Sequence, residues 1–163
     1  MVTTWDEAAR IALVKIYENI RVKPRADLNQ VRADLDDFIE ELFHTATGFD
    51  KAKVRWAIIG ADALELAAQR GEPFDAAEVH ATLVRKQRDY GPENIRRFGR
   101  QGLMVRMHDK VARLENLLSI DGGGKPENES IRDNLLDVVG YAAIGIMWES
   151  MQFLLPLASP AQN

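Results

Sequence analysis

Between Leu28 and Leu42 the apolar residues Leu28, Val31, Leu35, Phe38, Ile39 and Leu42 recur at steps of three and four, with acids and other polar residues between them. That period places them on one face of a helix. Asp27 stands where a helix N-cap belongs, and the Gly48 region supplies a stop. The next stretch, 50–71, repeats the pattern, with Asp50 as its cap and Gly71 closing it. A helix is also predicted from about Trp5 to Ile20, ended by Pro24.

Beyond residue 74 the pattern continues. "FDAAEVHATLVRKQRDYG" reads as a fourth helix stopping at Gly91-Pro92. A short connector with Phe98 and Gly99 follows. A fifth helix then carries apolar positions at Leu103, Val105, Met107, Val111, Leu114, Leu117 and Leu118. "DGGGKPENES" is a loop by its glycines and proline. The sixth helix begins near Ser130 and runs towards Leu154, with Pro156 ending it and a polar, mobile tail after that. No strand alternation and no internal repeat is present. The expectation is an all-α bundle of about six helices, divided softly near residue 74 into an N-terminal part, 1–74, packed on a C-terminal part, 75–163.

Composition narrows the function classes. The chain has no cysteine, which excludes disulfides, thiolate zinc sites and cysteine nucleophiles. Its net charge of −4 opposes the overall basicity of proteins that coat nucleic acid, so no long nucleic acid is expected as partner. The most apolar tract, "YAAIGIMWESMQFLLPLA", is interrupted by Glu149, Gln152 and Pro156, which argues against a membrane span. The start lacks the basic-then-apolar order of a signal peptide. A cytoplasmic protein is the expectation. The sixth helix is apolar on nearly all sides after Tyr141, to be covered by a second copy in a dimer or tetramer or by residues 1–75.

Within this acidic chain the charges are unevenly placed. Arg106, Asp109, Lys110 and Arg113 share one face of the fifth helix. Glu129, Asp133, Asp137 and Tyr141 follow a four-residue step on the sixth, an acidic stripe with an aromatic end. A short loop allows the two helices to form a hairpin that sets carboxylates beside cations. Hard cations such as Mg²⁺ take oxygen ligands and share them with phosphates, while Lys and Arg neutralise the remaining phosphate charge. Solvated i,i+4 ion pairs are the competing account of the same pattern. At the end of the fourth helix, Tyr90 is placed to stack on a base, Lys86 to meet phosphate and Asn94 to read a base edge. A helix stop with a packed tyrosine is the plainer alternative.

Other signals point to packing or solvent. "DGGGKP" is not a phosphate-binding loop, because no Ser or Thr follows Lys125. His44, His80 and His108 have no metal-ligand spacing. "DLDDFIEE" reads as the wet face of its helix, and Trp5, Trp56 and Trp148 as packing residues.

The order DYG, then DKxARLxxL, then an acidic helix ending in DxxxY, over about residues 76–147, resembles the nucleotide modification associated domain family of phages. That family looks like a divergent branch of the all-α, MazG-like nucleoside triphosphate pyrophosphatases. The resemblance implies a MazG-like C-terminal part with an N-terminal helical extension, phage-encoded and acting in the host cytoplasm. It also implies Mg²⁺ (or Mn²⁺) held by Asp109, Glu129, Asp133 and Asp137, with Asp109, Asp133 and Asp137 catalytic. Lys86, Lys110 and Arg113 would contact phosphate, and Asp89, Tyr90, Asn94 and Tyr141 would shape the nucleotide pocket. The implied reaction cleaves a (d)NTP or modified nucleotide to the monophosphate and pyrophosphate. Two departures stand out: the first helix offers Asp109 among cations rather than Glu-x-x-Glu, and the second uses a four-residue acidic step. Two other functions fit the same residues: a non-catalytic nucleotide-binding or sequestering protein, and a helical interaction module.

Overall fold

A computed structural model describes residues 1–20, 27–119 and 130–160. Among them are six helices and no strand: α1 Trp5–Glu18, α2 Leu28–His44, α3 Phe49–Gln69, α4 Ala76–Tyr90, α5 Glu93–Ser119 and α6 Ile131–Glu149. The all-α expectation holds. The expected loop with Lys125 and Glu129, the stop at Pro24 and the last three residues of the tail lie outside the described residues.

Local chemistry explains most of the helix ends. The Asp27 side chain accepts a hydrogen bond from the Gln30 N–H, 2.9 Å, at the start of α2. Ser130 and Asp133 form a reciprocal capping box at the start of α6. In α3 the cap is Gly48 rather than the expected Asp50, which sits in the first turn with its charge against the positive helix end.

Two ends depart from expectation. The segment 93–98 is helical rather than a connector, and α5 is broken at Gly99, whose φ of 59° and ψ of −144° are non-helical. A Cβ there would also lie 3.1 Å from the Trp148 ring. Helix α6 stops at Glu149, short of Leu154, although no glycine follows it. Met151 takes the positive φ (58°) instead, its N–H donating to Trp148 O and the Gln152 N–H to Met147 O. Burial of Phe153 against Trp5 and Trp148 holds this strained turn. The following chain runs back over the start of α1, where Trp5 N–H donates to Pro156 O (2.8 Å) and Ala158 N–H to an Asp6 carboxylate oxygen (2.8 Å). The tail is thus anchored at least to Ala158.

One core spans the chain, with α6 inside it, packed against α1, α3, α4 and α5. The α3–α6 contact is the closest. A Cβ on Gly60 would lie 2.9 Å from Ala142 Cβ, and one on Gly145 would fall inside the Trp56 indole. Trp56 is wholly buried and meets Phe38 of α2 edge-on, ring centroids 4.7 Å apart. Ile146, Met147 and Phe153 are buried, so much of the apolar surface that suggested a partner copy is covered by residues 1–75. Val105 instead faces outward, and Asp34, expected on the wet face of α2, is buried.

Ion pairs tie the outer helices down. Glu149, its side chain fully buried, accepts two bonds from the Arg100 guanidinium, 2.6 and 2.5 Å, and a third from Trp56 Nε1 at 3.3 Å. Arg100 also donates to Thr47 O, 3.1 Å. Arg55 and Lys51 of α3 pair with Glu41 of α2, and Arg32 of α2 makes two bonds to Glu115 of α5.

Replacing Gly145 by Ala should destabilise the fold by about 3 kcal/mol, because the rigid indole has nowhere to go. Chemical denaturation measures it, and a loss below about 1 kcal/mol would show that the helices can separate at little cost. A second expectation concerns acid. Hydrogen bonds from Arg55 hold the Glu41 carboxyl below its ordinary value, and those from Arg32 do the same for Glu115. Both remain charged in the folded chain where the unfolded chain has begun to take up protons. Their stabilisation is therefore full above the ordinary carboxylate value of 4.5 and is lost as pH falls through the lower folded values. Glu41→Gln should flatten the fall in denaturation midpoint as the pH drops below the ordinary carboxylate value of 4.5. Equal slopes in the two proteins would remove Glu41 as a source of acid sensitivity.

Candidate functional site: a cationic pocket between three helices

Where α4 leaves α6, the α4–α5 turn and the outer face of α5 enclose a cavity of about 340 Å³. On α4, Thr82, Lys86 and Tyr90 recur every four residues and form one wall with Leu83 and Gln87. Gly91, with φ of 64°, ends α4 and turns the chain so that Asn94 and Ile95 form a second wall. Arg106 and Lys110, one turn apart on α5, form the third. Asp137, Gly140, Tyr141 and Ile144 of α6 form the floor, with buried Trp5 behind them.

The described lining thus has three cations, Lys86, Arg106 and Lys110, around one carboxylate, Asp137. Lys86 Nζ lies 2.7 Å from Asp137 Oδ1, and Lys110 Nζ lies 3.0 Å from Oδ2. Asp137 and Lys110 are largely shielded, at 14 % and 13 % side-chain exposure, whereas Lys86 is 46 % exposed. The inner pair is therefore screened less by water than the outer one. Arg106 is half-buried and has no ion pair or hydrogen bond among the described residues. Beside these charges the pocket offers apolar surface from Val79, Leu83, Ile95, Leu136 and Ile144, and the rings of Tyr90 and Tyr141. Tyr90 is 80 % exposed, a free aromatic face at the rim rather than a packed one.

Six residues singled out from the sequence meet here: Lys86, Tyr90, Asn94, Lys110, Asp137 and Tyr141. Asp89, Asp109 and Arg113 are exposed and outside the lining. Asp133, one turn before Asp137, is exposed and serves the capping box, its Oδ2 accepting from Ser130 N–H at 3.1 Å. Glu129 is not among the described residues. Thr82 and Gln87 were missed, although the 82–86–90 spacing on α4 carries the signal. Arg106, on the charged face of α5 with no role assigned from the sequence, also lines the cavity.

Among the described residues, the candidate metal-ligating carboxylates are each engaged or placed elsewhere. Both Asp137 oxygens are directed to ammonium groups, Asp133 is committed to its helix end, and Asp109 faces solvent away from the pocket. No cluster of three His, Asp or Glu side chains suited to a metal occurs among the described residues. What the pocket can do chemically is hold an anion beside an apolar, ring-shaped group. No helix among the described residues is long and apolar enough to cross a membrane. No protein-family model, curated protein or solved structure matches the chain.

Proposed function

We propose that this chain binds a phosphorylated nucleotide in the pocket between α4, α5 and α6. One observation carries the reading: Arg106 lines the cavity with no hydrogen bond or ion pair among the described residues, beside two lysines that both pair with Asp137. A half-buried guanidinium facing a cavity is suited to bidentate contact with phosphate oxygens. The sugar and base then lie along the apolar wall, with Tyr90 available for stacking and Asn94 for a base edge. The volume suits a ligand of that size. The resemblance of residues 76–147 to a nucleotide-handling family supports the same ligand class.

A second reading is Mg²⁺-dependent pyrophosphohydrolysis of a (d)NTP. It is favoured by Asp133 and Asp137 standing one turn apart on α6, with Asp137 in the pocket. Pyrophosphate release across canonical and modified (d)NTPs with Mg²⁺ or Mn²⁺ decides between the readings. Turnover abolished by Asp133→Asn would favour hydrolysis, and binding without turnover the first reading.

For the binding reading, calorimetric titration should give measurable affinity for a nucleoside phosphate and at least about tenfold less for the bare nucleoside. Arg106→Ala should weaken the nucleoside phosphate by about tenfold or more, the worth of one charge-assisted contact. Tyr90→Ala should weaken phosphate and bare nucleoside alike. Unchanged affinity in the Arg106 variant would end the proposal.

A further inference from the structure

We infer that Asp137 is a built-in competitor for the ligand's phosphate, so that the pocket binds by exchanging one anion for another and selects multiply charged phosphates. The inference rests on the phosphate-binding reading of the same pocket. Its own ground is the geometry of Asp137. In the ligand-free chain the two carboxylate oxygens sit at 2.7 and 3.0 Å from the ammonium groups of Lys86 and Lys110, where a phosphate's oxygens would otherwise lie. The carboxylate reaches across from α6 to lysines on two other helices, α4 and α5, so it bridges the walls of the cavity rather than stabilising its own helix.

A ligand with one negative charge exchanges poorly with such a group. Taking a lysine from Asp137 replaces one ion pair by another and leaves a shielded carboxylate short of a partner, a costly outcome at 14 % exposure. A di- or triphosphate meets no such limit. One phosphoryl group can occupy Arg106, whose guanidinium needs no release from Asp137, while a second competes for the lysines with the higher charge of a phosphate chain. Lys86 is the ammonium that yields first, being far more exposed than Lys110. The ligand class that follows is a polyphosphate ester, with phosphate monoanions and simple carboxylates excluded by competition rather than by size.

The test is titration at pH 8, without divalent cations, using inorganic pyrophosphate and the monoanion dimethyl phosphate. Wild type should bind pyrophosphate and favour it by at least about a hundredfold. Asp137→Asn, which removes the competing charge and little volume, should tighten pyrophosphate by about tenfold or more. Asp137→Glu, which keeps the charge, should stay at or below wild type. A measurement on the unaltered protein guards against a variant that misfolds: the ¹³C resonance of the Asp137 carboxyl should move when pyrophosphate is added, as its lysine partners are drawn away. If wild type binds pyrophosphate but the Asn variant binds it no more tightly, or the resonance stays in place, the competitor role is overturned and the pocket reading stands. Absence of pyrophosphate binding in both wild type and the Asn variant overturns both.

Discussion

The passage of α6 against α3 is the constraint from which the rest of the structure follows. Two glycines, Gly60 on α3 and Gly145 on α6, bring the helices closer than side chains allow, and the Trp56 ring fills the space above Gly145. Close approach of this kind fixes the rotation of α6 about its axis, because turning it would drive a Cβ into an indole. With that rotation set, the buried face of α6 is committed to the core. Asp137 and Tyr141 are left facing α4 and α5. The pocket is thus a by-product of packing. It forms where α4 diverges from a helix whose orientation has been decided elsewhere.

The fold was largely legible because it is written in a period of 3.6. The recurrence of Val31, Leu35, Phe38 and Leu42 is a helix face in sequence and a core face in the structure. What stayed hidden depends on tertiary contact. Nothing local marks the end of α6, since the residue with positive φ is a methionine held by the burial of Phe153 two positions on. Nor does anything local reveal that Arg100, one of several arginines in a charged run, is the partner of a buried Glu149 nearly fifty residues away.

The candidate site divides along the same line. Lys86, Tyr90, Lys110, Asp137 and Tyr141, which helical spacing and residue type single out in the sequence, line one cavity. Their mutual arrangement is not legible there, because it depends on which helices cross and at what depth. A stripe of acids on one helix and a stripe of cations on another gives an expectation of carboxylates gathered together. Among the described residues, one carboxylate stands among three cations, with Asp133 at a helix end and Asp109 outside the lining. Spacing identifies a face, and packing decides what that face meets.

The break in α5 separates two burdens that a continuous helix would have to share. Beyond Gly99, Arg100 is bound to the core through Glu149, and Leu103, Met107, Val111 and Leu114 pack into it. Before it, residues 92–98 form a largely exposed segment bounded by two positive-φ glycines, Gly91 and Gly99, and contribute Asn94 and Ile95 to the pocket. Substitution of Asn94 alters a wall of the cavity while leaving the buried ion pair untouched, whereas Ile95 also packs against the core. The shape of the cavity at Asn94 is therefore separable from the packing that holds the fold together. The exposed rim segment and the interior thus carry separate structural demands.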